Sequence, residues 1–470
     1  MRNFRPCTPG LAGNVFTRRF VLDLMARFVY GWSAIMSHPT PSKIGTLPAV
    51  ALVVASMVGT GVFTSLGYQV GDIPSGPGIV LVWAMGGLVA LCGALSYAEL
   101  AGALPRSGGE YHFIGKLYHP SLGWTAGLLS AVVGFAAPTA LAALALGSYA
   151  HRAFPGIPAA VAAVVALVAV TGGHLITLKA SARLQTVATG LKLTLVLGFI
   201  LAAFLKTGHG DIRWEIRPRE DLEIIGNPAF AVALLFVFYA YSGWNAAVYM
   251  LEEIQDARRT VSRALVGGTL LVMALYVLLN AAFLKAAPVA DLAGVTEVGH
   301  VAARALFGED AARWFSGLLS LGLVATVSAL VWAGPRVLDV MGRDFHALRI
   351  LAAKNRHGIP VAATLILSGL ALVFVLTGNF SQLLTYTQFA LTLCSFLTVF
   401  GIFIVRRRPA VAGAFRCPLY PLPPLVFLAM TGFVMVRSLV AEPLPTLAGM
   451  ATVLLAWLCY FPLRQARSSS

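Results

Sequence analysis

Charge is scarce in this sequence. Asp, Glu, Lys and Arg make up 11% of its 470 residues, against about 25% in a soluble domain. The 5 cysteines, Cys7, Cys92, Cys394, Cys417 and Cys459, show no metal-ligand spacing and lie mostly in or beside apolar runs, where they read as small fillers. No Walker-type phosphate loop is present, so ATP does not drive the protein directly. The apolar runs carry almost no clustered His, Asp or Glu and no Ser–Lys dyad, which argues against an intramembrane enzyme. Nothing calls for a metal ion or a cofactor.

What fills the sequence is apolar. Hydrophobic residues reach 58%, the composition of a polytopic membrane protein. The net charge of +15 does not imply a nucleic-acid partner, because most Lys and Arg stand in short loops between apolar runs. About twelve runs approach the twenty residues that cross a bilayer: 47–70, 78–104, 122–150, 157–178, 183–205, 229–250, 264–286, 312–341, 359–377, 382–405, 421–439 and 444–462. With the N-terminus placed in the cytoplasm, about 17 basic residues fall in inner segments and about 8 in outer loops. That excess puts both termini in the cytoplasm and the protein in the plasma (inner) membrane. Residues 1–46 are unlike the rest. They read either as an interfacial amphipathic stretch, with Phe16, Phe20, Leu24 and Phe28 four apart, or as a start placed upstream of Met36.

Two runs are interrupted. The first contains Ser56-Met57-Val58-Gly59-Thr60-Gly61-Val62-Phe63, and its glycines each cost a helix about 1 kcal/mol relative to alanine. The sixth contains Tyr241-Ser242-Gly243-Trp244-Asn245. At about 1.5 Å per residue, Gly59 lies about 18 Å along its run from Leu47, and Ser242 about 18 Å from Phe230. Both interruptions therefore fall near the middle of a core about 30 Å thick. A helix broken at that depth exposes N–H groups on one half and carbonyls on the other. The first suit a carboxylate and the second an ammonium or a cation, and an α-amino acid carries both groups on one carbon. Paired interruptions in two halves of a chain point to an inverted-repeat transporter.

Lys192 is the third feature at this depth. A cation there costs at least about 2.5–3.5 kcal/mol unless it faces acceptors inside the bundle. The carbonyls freed by the first interruption would serve, leaving the lysine where a sodium ion would otherwise sit. A lysine so placed can couple transport to protons.

Four motifs together carry a family resemblance over most of residues 45–465. They are Gly59-Thr60-Gly61-Val62-Phe63; Tyr97-Ala98-Glu99-Leu100 leading to Pro105-Arg106-Ser107-Gly108-Gly109-Glu110-Tyr111; Tyr239-Ala240-Tyr241-Ser242-Gly243-Trp244-Asn245 leading to Glu252-Glu253; and Gly334-Pro335-Arg336. The chain resembles the amino acid–polyamine–organocation (APC) superfamily, and within it the permeases near the L-type amino acid exchangers. The resemblance implies an all-α fold with a five-plus-five inverted repeat over 47–405, discontinuous first and sixth spans, two further helices over 406–463 and a cytoplasmic tail at 464–470. It also implies that the substrate carboxylate meets N–H groups around Thr60 and Gly61, and the amine meets carbonyls near Met57 and Tyr239. Gly59, Ala240 and Ser242 complete the pocket. Tyr239 would gate it from outside, Asn245 would link substrate to Lys192, and Lys192 would replace a sodium ion. L-type exchangers have glycine where Ser242 stands, so a smaller pocket is expected. No cysteine occupies the outer loop after the third span, so no disulfide-linked accessory subunit is expected.

The expected function is amino acid transport by exchange or proton symport. A neutral substrate is expected because no acidic or basic group is evident at the pocket. Polyamines or cationic amino acids are the alternative, and a non-transporting sensor is a further one. Glu99 reads as a structural ion-pair member, Arg336 as an inner-face charge, and His112 and His174 as structural. Thr326 and Ser328 read as sodium-ligand candidates with which Lys192 competes.

Overall fold

In a computed structural model, the protein is described over residues 45–462, apart from 177, 356, 357, 378, 410 and 412. The expected tails, 1–46 save its last two residues and 464–470, lie outside the described residues. Among the described residues the elements are helices, with one isolated bridge between Lys354 and Pro360. Those used below are α1 (Thr46–Met57), α2 (Gly61–Thr64), α3 (Gly76–Ala103), α4 (Gly109–Leu117), α5 (Pro120–Ala131), α6 (Ala137–Ala153), α7 (Ala159–Ile176) and α8 (Leu178–Leu205). They continue with α9 (Pro228–Tyr241), α10 (Ala257–Ala286), α11 (Glu309–Asp344), α12 (Val361–Thr377), α13 (Phe380–Val405), α14 (Leu422–Ala441) and α15 (Pro443–Leu458).

Among the described residues, nine helical stretches are long and apolar enough to cross a membrane. The expected spans 157–178, 183–205 and 359–377 fall on shorter apolar stretches, Ala159–Leu175, Thr189–Leu205 and Val361–Thr377. The protein is an all-helical, polytopic membrane protein. One amphipathic helix, Val298–Phe307, lies between α10 and α11 and was not expected, because its apolar content is too short to read as a span.

Several starts are set by one local device, a polar cap followed by proline. Ser75 accepts from the Gly78 N–H with Pro77 in the first turn, His119 accepts from Ser121 ahead of α5, and Asn227 accepts from Ala229 ahead of α9. Proline suits this position because the first N–H groups of a helix lack intrahelical acceptors. Between α5 and α6 the chain widens into a π-turn over Val132–Ala136, just before Pro138. A proline ring displaces the carbonyl four residues back, and the wider turn absorbs it.

The helices pack in two groups. α10 lies against α3 and α1, and α9 against α3. α11 runs along α6 and also meets α7, α8 and α12, while α12 packs on α6 and α7. The most apolar windows of the last two long stretches are 28% and 22% buried, against 72% for the first, so α14 and α15 sit at the periphery. Near the end of α3, Arg406 donates to the Glu99 carboxylate at 2.7 Å, the ion pair expected of Glu99.

Candidate functional site

Both interrupted runs are broken in the structure. α1 stops at Met57, and the Gly59 N–H turns back to the Met57 carbonyl at 2.7 Å. Winding resumes at Gly61, where the Phe63 N–H takes the Thr60 carbonyl at 2.9 Å. The N–H groups of Thr60, Gly61 and Val62 thus precede the first intrahelical bond of α2. α9 stops at Tyr241, Gly243 adopts φ +96°, and the chain continues as a 3-10 segment, Ala246–Glu253.

The two breaks fit each other through their glycines. A Cβ on Gly61 would stand 2.5 Å from the Cα of Ala240, the penultimate residue of α9. A Cβ on Gly243 would stand 2.7 Å from the carbonyl oxygen of Ser56, the penultimate residue of α1. Each break therefore needs glycine for close approach to the other, and Gly243 needs it for its backbone angle as well. Gly59 is different, since a Cβ there would meet nothing nearer than 3.8 Å.

A cavity of about 320 Å³ lies along the breaks. Met57, Gly59, Thr60, Gly61, Tyr239, Ala240, Ser242, Asn245 and Lys192 all line it. It runs from the breaks toward Ser107, Gly108, Arg336 and Val340. The opposite side is closed. Tyr239 and Thr60 hydroxyls lie 3.0 Å apart, Tyr149 donates to the Phe63 carbonyl at 2.9 Å, and Tyr68 stacks on Phe236 at 5.2 Å.

Lys192 is 1% exposed and its Nζ donates to Thr326 Oγ1 at 3.2 Å. Gly322 lets α11 approach this closely, since a Cβ there would sit 3.2 Å from the lysine Cβ. Ser328, the other sodium-ligand candidate, is 2.9 Å from His174 Nε2. Asn245 Nδ2 donates to Glu110 Oε1 at 2.7 Å.

Two polar groups at the breaks carry no mark of that position in the sequence. The Tyr276 hydroxyl, from α10, lies 2.6 Å from the Met57 carbonyl oxygen and 3.1 Å from that of Ala240. It joins the ends of both first half-helices, but a tyrosine in an apolar run carries no mark of this from its neighbours. Glu110 lines the cavity and is 3% exposed. The expectation that no acidic or basic group stands at the pocket is therefore corrected, for Glu110, Lys192 and Arg336 all line it. Glu110 belongs to α4, and the fold brings it against Asn245 and Tyr249 beyond the span-six break. Arg336 packs its guanidinium 4.3 Å over the Trp332 ring.

Known proteins give the same direction. The pattern of one family, described as amino acid permease, matches residues 44–461. The chain is 28% identical over 429 residues to the Asc-type amino acid transporter 1 of Mus musculus, covering 88% of this chain and 79% of that protein. It is 24% identical over 415 residues to the mouse b(0,+)-type amino acid transporter 1, covering 85% and 83%. It is 25% identical over 431 residues to the large neutral amino acids transporter small subunit 2 of Oryctolagus cuniculus, covering 89% and 80%. With that pattern spanning nearly all of its described residues, the chain belongs to the amino acid permease family of the APC superfamily, whose members are membrane transporters and not enzymes.

Proposed function

We propose that the protein is a secondary active transporter that carries α-amino acids with neutral side chains by alternating access, through exchange or proton symport. The observation that carries this reading is the reciprocal seating of the two breaks, Gly61 on Ala240 and Gly243 on Ser56. It leaves unwound backbone from two helices facing one cavity. The N–H groups at Thr60 and Gly61 receive the substrate carboxylate. The carbonyl ends of α1 and α9, at Met57 and Tyr239, face the ammonium. The Met57 carbonyl already accepts from Gly59 and Tyr276, so the ammonium shares or displaces the tyrosine proton there.

The neutral side-chain preference rests on small and apolar residues around the breaks, among them Gly86, Ala90, Ala325 and Ala329. Glu110 favours a second reading, in which a cationic side chain or a polyamine is carried. Ser242 narrows the pocket where glycine stands in L-type exchangers. Lys192 takes the role of a bound sodium ion and of the proton-coupling group. The transport core is a five-plus-five repeat over 47–405, with two further helices over 406–463. α1, α2 and α9 move against α5–α6, α7, α11 and α12. The positive charge of the inner segments places Ser107 and Arg336 toward the cytoplasm, so the cavity opens inward and the Tyr239–Thr60 contact closes the outer side.

Thermal-shift measurements against the twenty amino acids and common polyamines, followed by uptake into proteoliposomes, test the reading. Stabilisation and counterflow by one or more neutral amino acids are expected. Stabilisation by polyamines or cationic amino acids alone favours the second reading. Stabilisation without any uptake or exchange would mean a sensor.

A further inference from the structure

Glu110 is a buried carboxylate whose partners are all neutral. Oε1 accepts from Tyr97 Oη at 2.9 Å and from Asn245 Nδ2 at 2.7 Å, and Oε2 accepts from Tyr249 Oη. Among the described residues no Lys, Arg or His lies within ion-pair distance of it. A carboxylate is an acceptor-only group with about four lone-pair sites, and three are used here. Two of the three donors, Asn245 and Tyr249, belong to the chain that follows the span-six break.

That stretch is packed against its neighbours but has little backbone hydrogen bonding of its own to set its shape. Its backbone closes only tight turns, Ser242 to Tyr239 at 3.0 Å, Ala246 to Gly243 at 3.0 Å and Val248 to Asn245 at 3.0 Å. The left-handed Gly243 opens the second of these turns, and Met250 interrupts the 3-10 winding with φ −123° and ψ 26°. The conformation must therefore be fixed from outside. The segment around Glu110 is itself well anchored. Tyr111 donates to Asp344 at the end of α11 at 2.6 Å, and Ser107 accepts the Glu252 N–H at 3.0 Å. Tyr97 reaches Glu110 from α3, stacked edge-on against Trp244 at 4.7 Å.

We infer that Glu110 is the positioning residue of the span-six break: through Asn245 and Tyr249 its carboxylate fixes the unwound segment 242–250 against α4, and so shapes the substrate-facing wall of the cavity. Glu110 acts through Asn245 and has no need to touch the substrate. The link to substrate affinity rests on the transporter reading above. The link to the shape of the segment does not.

Amide hydrogen exchange of the full-length protein in nanodiscs tests this without any substrate. Glu110→Ala should speed exchange across 242–250 about tenfold, the order expected when hydrogen bonds to a charged group are lost. Glu110→Gln keeps the shape and one acceptor oxygen, so it should fold like wild type and speed exchange by about threefold or less. Asn245→Ala should speed exchange as well, and combining it with Glu110→Ala should add little, since the Asn245 contact is already among those that Glu110→Ala removes. Unchanged exchange in Glu110→Ala overturns the inference. So does an effect that multiplies fully in the double variant, or one spread evenly over all helices. In transport, Glu110→Ala should raise KM about tenfold with the maximal rate nearly kept, and Glu110→Gln should restore most of that loss. If wild-type protein takes up no amino acid while the exchange pattern holds, the transporter reading falls and the positioning role stands.

Discussion

The hydroxyl of Tyr276 lies 2.6 Å from the carbonyl oxygen of Met57, at the end of the first half-helix. The same hydroxyl is 3.1 Å from the Ala240 carbonyl oxygen, near the end of the other broken helix. One proton shared between two helix ends ties the breaks to α10. In the proposed site this hydroxyl stands where a substrate ammonium would donate.

Tyr276→Phe removes the donor and leaves buried carbonyls short of a partner, at a cost of about 1–3 kcal/mol. The thermal midpoint of the apo protein should fall by several degrees. The shift on adding an amino acid should grow, because its ammonium then supplies the missing donor. An amino acid shift equal to that of wild type would contradict a shared position.

Glycine substitutions separate close approach from helix breaking. Gly61→Ala and Gly243→Ala place a methyl within 2.5 Å of the Ala240 Cα and within 2.7 Å of the Ser56 oxygen. Each should cost about 1–3 kcal/mol and abolish uptake by forcing the breaks apart. Gly59→Ala has room and should keep uptake within about twofold, with at most about 1 kcal/mol of change in stability. Equal loss in all three would show that space between the breaks is not what the glycines provide.

Lys192→Ala tests coupling. The lysine is buried against Thr326, so the variant loses the one buried cation seen beside the first break among the described residues. Uptake should fall about tenfold or more, or continue without its pH dependence. Unchanged, pH-dependent uptake removes Lys192 from the mechanism.

His112, on α4 outside the spans, predicts an acid-sensitive fold. Burial first, then the nearby Arg106 and Lys116 charges, lower its pKa from 6.5 to about 4. The unfolded chain thus binds a proton that the folded chain refuses, and stability falls as pH drops from 6.5 toward 4. His112→Asn should flatten the thermal midpoint across that window, which a midpoint-against-pH series would show.

The spans were legible in the sequence because apolar runs of twenty residues have few other uses. The breaks were legible because Gly59-Thr60-Gly61 and Tyr241-Ser242-Gly243-Trp244-Asn245 interrupt two apolar runs at matching depth in the two halves of the chain. Asn245 stands out in the sequence through its place in the Tyr239–Asn245 motif, but no spacing marks its partner. Which acceptor it meets depends on where the loop after α3 comes to rest, and that is decided by Tyr111–Asp344 and Ser107–Glu252 contacts spanning more than a hundred residues. Tyr276 was hidden for a related reason. Its hydroxyl matters only because two helix ends converge on it, and no spacing within α10 records that.

Binding to Thr60→Pro, compared with Thr60→Ala, tests the backbone-built site most directly. Thr60 has φ −71°, an angle proline adopts, so the substitution deletes the N–H while leaving the turn in reach. Thr60→Ala removes only the hydroxyl that meets Tyr239. Isothermal titration of a stabilising amino acid should give near-wild-type affinity in Thr60→Ala and a loss of about a hundredfold in Thr60→Pro. Equal affinity in the proline variant and the wild type would contradict a carboxylate held by the broken helix.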